Sequence, residues 1–232
     1  MRKLGMGLAL LVAVGCAHHQ EAKLDDSGLA RLNEDQMAPV DTARLELGRA
    51  QDRASKARAT EADAKARVEV AKSERDVGEA QAKRAAAQRD LIKKQYADAN
   101  AMAQADQDVK AAQEAIHAQE AKLAYLNQNV GASEAERNAA EAHVATQEVV
   151  VEQAKYQAMQ AGGAPQTASI NPGQLESRLA EAKKREAEAQ QQAADRRAKA
   201  ETLFAQWEKV DAHARVMKPQ AVPAPQQAAA PN

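Results

Sequence analysis

Residues 43–80 read ARLELGRAQDRASKARATEADAKARVEVAKSERDVGEA, and small side chains return in them every seventh position, at Ala43, Ala50, Ala57, Ala64, Ala71 and Gly78. A companion lane four residues on holds Leu47, Ala54, Glu61, Val68 and Arg75. Seven residues make two turns of a slightly underwound α-helix, so both lanes share one face and meet a partner helix along a straight seam. Outward from this stretch the first lane continues through Ala85, Ile92 and Ala99, and the second through Ala82, Arg89 and Tyr96. Small residues at one seam position allow two helices to approach closely.

A three-residue shift of register follows, after which Met102, Val109, Ile116, Leu123 and Val130 repeat at seven with Ala105, Ala112, Gln119 and Leu126 alongside. The discipline persists in Ala135, Ala142, Val149 and Tyr156. It returns in Leu175, Leu179, Ala182, Ala189, Ala193, Ala200, Leu203, Trp207, Val210, Ala214 and Met217. Such spacing predicts an all-α protein, a long antiparallel helical hairpin or coiled coil in which one very long helix pairs with two shorter ones. From 41 to 130 there is no proline and only Gly48 and Gly78, which predicts one unbroken helix. Gly131 then reads as a C-terminal stop, and Ser133 with Glu136 three residues later reads as a capping box, so 131–133 is the expected hairpin turn. A second helix is expected over 134–161, a Gly/Pro loop over 162–173 and a third helix over 174–217. Folding back at Gly131 would set the loop opposite the register shift near 99–102 and bring Glu186 near Arg89. Residues 41 to about 58 would then lack a partner in the same chain. Residues 16–40 read as a polar spacer with Pro39 ahead of an N-cap at Asp41 or Thr42. Pro219, Pro223, Pro225 and Pro231 among Ala and Gln make 218–232 an expected disordered tail.

Composition agrees with thin, elongated packing. Alanine supplies 58 of 232 residues, and Tyr96, Tyr125, Tyr156, Phe204 and Trp207 are the only aromatics, too few for a thick core. Acid-then-base pairs at four-residue spacing, including Glu61/Lys65, Asp63/Arg67, Glu79/Lys83 and Glu181/Arg185, solvate the outer face and favour helix. Glu61, Arg75, Arg89, Glu186 and Arg196 interrupt core lanes; the plain expectation is that their stems pack and their charges reach the rim. Alanine seams bury little area per turn, so an oligomer or a helical protein partner is expected. Charges of both signs are interspersed, with no basic face and no aromatic interleaving, which excludes a nucleic-acid partner.

Nothing in the chain points to catalysis. His117, His143 and His213 stand singly on different stretches, without a Cys/His cluster, a phosphate loop or a serine-histidine constellation. We assign no catalytic, cofactor-binding or metal-binding residues and read the chain as not an enzyme. His18 and His19 beside Cys16 form a weak metal site at best.

The N-terminus carries the clearest address. Arg2 and Lys3 precede an apolar run from Leu4 to Val14, too short to span a bilayer, and Gly15-Cys16 follow. The segment Val12-Ala13-Val14-Gly15-Cys16 resembles the lipobox of bacterial lipoproteins, although Ala13 stands where the strongest form has leucine. That resemblance implies a signal peptide over 1–15, cleavage between Gly15 and Cys16, and a lipid carrying palmitate-like acyl chains on Cys16. As the only cysteine it can form no internal disulfide. Lipobox and heptad helices together resemble the alanine-rich coiled-coil outer-membrane lipoproteins of Gram-negative bacteria. The murein lipoprotein of that class joins peptidoglycan through a C-terminal lysine, whereas Asn232 stands last here. Ala17 after the cysteine resembles an outer-membrane sorting signal, so the expected location is the outer membrane facing the periplasm, with the inner membrane and the cell surface as open alternatives. The class implies a structural or scaffolding role in the cell envelope, with contact to peptidoglycan left open. The alternatives are a periplasmic holdase-type chaperone and a coiled-coil adaptor of an export assembly.

Overall fold

The computed structural model describes residues 24, 26–95 and 99–217. Readings that rest on 1–23, Cys16 and Gly15 among them, and on 218–232 lie outside the described residues. A short 3-10 turn, Asp26–Arg31, leads into α1, Glu34–Lys94; α2 is Ala99–Ala161, and α3 is Pro172–Met217 after a second 3-10 turn at Pro165–Ser169. All of the regular structure among the described residues is helical. α1 packs on α2 and α2 packs on α3, while α1 and α3 scarcely touch. With 61 residues, α1 is about 90 Å long.

The chain reverses between Gln95 and Ala99, not at 131–133. α2 runs straight through Gly131, Ser133 and Glu136, because a glycine inside a helix costs only about 1 kcal/mol relative to alanine and the seam does not change phase there. The lane Ala105, Ala112, Gln119, Leu126, Ser133, Ala140, Gln147 and Ala154 passes through without a shift. Ser133 is accordingly 1% exposed, and it is a seam residue rather than a cap. Arg89 faces Asp106 across the true turn, 2.5 Å apart. Farther along, Glu74 meets Lys122 at 2.5 Å and Arg58 meets Glu141 at 3.0 Å. Residues 41–58, expected to be unpaired, therefore lie on the C-terminal half of α2, with Ala43, Ala50 and Ala54 buried. Glu186 bonds His143 at 2.8 Å instead of approaching Arg89. The middle helix, not the first, is the one with two partners.

Local chemistry explains the ends. α1 begins at Glu34, ahead of the expected N-cap at Asp41 or Thr42, because Asn33 and Gln36 form a reciprocal capping box. Pro39 thus sits inside the helix, where it removes one backbone donor but leaves Val40 fully buried. α2 closes in a Schellman arrangement: the Gly163 amide donates to Gln160, the Ala164 amide donates to Met159, and Gly163 takes φ 69°. Asn171 accepts from the Gly173 amide ahead of α3, with Pro172 in the first helical position.

Two substitutions separate these glycines. Gly131→Ala should stabilise the protein by about 0.5–1 kcal/mol, since the nearest atom to an added Cβ is Arg196 Nη1 at 3.7 Å. Gly163→Ala should destabilise it by roughly 1–2 kcal/mol through the left-handed backbone. Denaturant melts followed by circular dichroism check both signs.

Candidate functional site

Three places bring side chains together. At the end where α1 begins and α2 ends, Leu29, Val40, Ala43, Val151, Ala154, Ala158 and Met159 form the larger apolar cluster, with Leu24, Leu32 and Ala164 packed against it. The Leu24 amide donates to Glu152 Oε2 at 3.0 Å. Asp26 pairs with Arg44 at 3.1 Å and with Lys155 at 2.8 Å. The segment before α1 is thereby fastened to this root, with Leu24, the first described residue, at one extremity of the rod.

In the middle, the seam of α1 with α2 holds a charge. Glu61 is 7% exposed, with Lys65 Nζ 2.5 Å from Oε1 and Arg137 Nε 2.9 Å from Oε2. Arg137 Nε is close enough for charge attraction yet is not aligned as a hydrogen-bond donor. The Glu61 carboxyl lies below its ordinary range because the Lys65 ammonium donates to it, an effect that outweighs the opposing influence of burial; Arg137 adds to the lowering. Here the rim expectation fails, because the carboxylate stays inside the seam and ties α1 to α2. Arg75 and Arg89 keep to it, half-exposed beside Asp76, Glu79 and Asp106. On the other side of α2, Arg197 Nη2 reaches Glu136 Oε1 at 2.6 Å and Arg197 Nη1 reaches Asn129 at 2.9 Å. Glu136, expected as a capping residue, is thus an anchor for α3.

The third place is a groove. Because α1 and α3 lean on α2 without packing on each other, they wall an open channel of about 510 Å³ lined by Asp63, Ala66, Arg67 and Val70 of α1, Lys122, Tyr125 and Leu126 of α2, and Phe204 and Trp207 of α3. Tyr125 stacks on Trp207 at 5.9 Å with 3° between ring planes, and Phe204 meets both rings edge-on at 5.1 and 5.5 Å. Three of the chain's five aromatics converge here. Lys122 and Trp207 also line a second hollow of about 470 Å³ that continues the channel toward the turn. Such a surface holds apolar side chains between charged rims, with Lys122 at the rim paired to Glu74 at 2.5 Å.

Among the described residues no group of three or more His, Cys, Asp or Glu could hold a metal, and no helix is long and apolar enough to cross a membrane. No protein-family model, no curated protein and no solved structure matches this chain.

The Glu61 site yields a pH dependence. Its folded pKa lies below the ordinary value of 4.5, so the unfolded chain binds the proton more readily. Its stabilising contribution is complete above that value and fades as pH falls through the lowered folded value. Wild type should melt above Glu61→Gln at pH 7, and the gap should narrow as pH falls below 4.5 and through the lowered folded value. Thermal melts of both chains from pH 7 downward are the check, and a gap that does not narrow on acidification would contradict the assignment.

Proposed function

We propose that this chain is a membrane-anchored coiled-coil lipoprotein of the periplasm, with a scaffolding role in the cell envelope. The single observation that carries the reading is the lipobox-like segment 12–16 standing just ahead of a rod whose first described residue is fastened at the root. Seven residues separate Cys16 from Leu24, so the two are at most about 29 Å apart with the chain fully extended. An acylated Cys16 would therefore hold the root close to a bilayer, and several acyl chains on one residue make a firm anchor at about 0.8 kcal/mol per buried methylene. The long charged faces of the helices suit a surface that organises other envelope components rather than one that turns over a substrate.

The aromatic groove favours a second reading, a holdase that shelters apolar segments of unfolded clients. Phe204→Ala in the full chain separates the two, because a holdase should lose suppression of client aggregation while membrane association is unchanged.

The anchor has a direct test. Full-length wild type expressed in a Gram-negative host should incorporate labelled palmitate and sediment with membranes. Cys16→Ser should do neither. A Cys16→Ser chain that still sediments with membranes sinks the proposal.

A further inference from the structure

The face that α1 turns away from α2 carries a second heptad seam. Val70, Val77 and Leu91 are 59%, 57% and 58% exposed, and Ala59, Ala66, Ser73, Ala80 and Ala87 interleave with them at alternating steps of four and three, all exposed. Scattered exposed apolar residues are ordinary on a protein surface. A period of seven held from Ala59 to Leu91, about 48 Å of helix, is the pattern of a helix with a partner. Only Asp63 and Arg84 interrupt it. Its stretch from Asp63 to Val70 forms the α1 wall of the aromatic groove.

Size and charge along this seam select its occupant. We infer that two copies of the chain pair antiparallel through α1, with Val70 of one against Ala80 of the other and Ser73 against Val77. A parallel pair would stack Arg84, which has no ion-pair partner of its own among the described residues, on Arg84, and Asp63, which Arg67 already neutralises at 2.8 Å, on Asp63. Reversal sets a small residue against a larger one in every layer: Ala59 with Leu91, Asp63 with Ala87, and Ala66 with Arg84, beside the two already named. Asp63 then lies one layer from Arg84 of the second copy, and Glu69 falls beside its Lys83, each twice by two-fold symmetry. Lys83 and Arg84 have no ion-pair partner in their own chain among the described residues; Asp63 and Glu69 already hold Arg67 at 2.8 Å and Lys72 at 2.7 Å, so the second copy's bases would join existing pairs. Glu74 and Asp76 would face their own copies, but Lys122 and Arg75 already neutralise them. Lys56 and Lys94 fall opposite one another, a like-charge contact that limits the seam at both ends and that a parallel pair would have equally.

The dimer itself does not depend on the lipid reading. Joined with that reading, the antiparallel arrangement places the two roots about 120 Å apart, so the paired rod is tethered at both ends.

The test uses the purified full chain in detergent, with its mass measured by sedimentation equilibrium and its helicity by circular dichroism. Wild type should have the mass of two chains. Arg84→Glu should raise the dimer dissociation constant about ten-fold by turning two attractions into repulsions, and Val77→Asp should leave single chains. Both sites are exposed, so helicity should hold. Asp63→Arg with Arg84→Asp should restore the dimer. A photocrosslinker placed at Leu91 should join the partner peptide around Ala59. Wild type at single-chain mass through the micromolar range, a dimer indifferent to Arg84→Glu, or a crosslink from 91 to the partner's own 91 region overturns the inference.

Discussion

α2 is gripped on two faces, and both grips require its side chains to be small. Toward α1 it presents Ala105, Ala112 and Ala154 in one lane, with Gln119 folded over Gly78, where an added Cβ would lie 2.2 Å from Gln119 Oε1. Toward α3 it presents Ala111, Ala118, Ala132 and Thr146, of which Ala132 is wholly buried. Alanine contributes little transfer free energy per residue, but it lets backbones come close and adds dispersion contacts along the whole length. Cohesion therefore comes from how far the seams run. The larger side chains gather at a few places, at the root around Met159, at Leu126 beside Val68, and in the aromatic trio between α2 and α3.

Much of this was legible. Ala43, Ala50, Ala64, Ala71 and Gly78 are buried, as their seven-residue spacing requires, and the α3 lane from Leu175 to Met217 is buried or half-buried throughout. What misled was the turn. Gly131 and the Ser133 to Glu136 pattern are strong local signals, whereas 95–98 carries neither proline nor glycine. The true mark of reversal was the three-residue change of register near 99–102. A chain that turns back begins a new seam with a new phase, while a continuous helix keeps the old one, as α2 does across Gly131. Loop composition is a local property, whereas the seam records which helix faces which.

The interacting surfaces were legible to a lesser degree for the same reason. Tyr125 and Phe204 are 79 positions apart in sequence, and only the correct fold-back sets α3 against the middle of α2, so no spacing rule could have joined the aromatic trio. The buried Glu61 was visible as a charge in a core lane, but whether it reached the rim depended on Arg137, whose position also follows from the turn. The exposed seam at Val70, Val77 and Leu91 was written plainly in the chain. It is easily passed over because each helix is expected to have a single apolar face, and α1 spends its most regular lane on α2.

The three helices differ in length, and this has a mechanical side. α3 reaches the neighbourhood of Ala115 by Ala214, so among the described residues the stretch of α1 and α2 nearest their turn is two helices thick, while the opposite end is three thick and sealed by its apolar cluster. Resistance to flexing rises steeply with the cross-section of a rod. A load applied at the thin end would be taken up as curvature there, leaving the thick end straight.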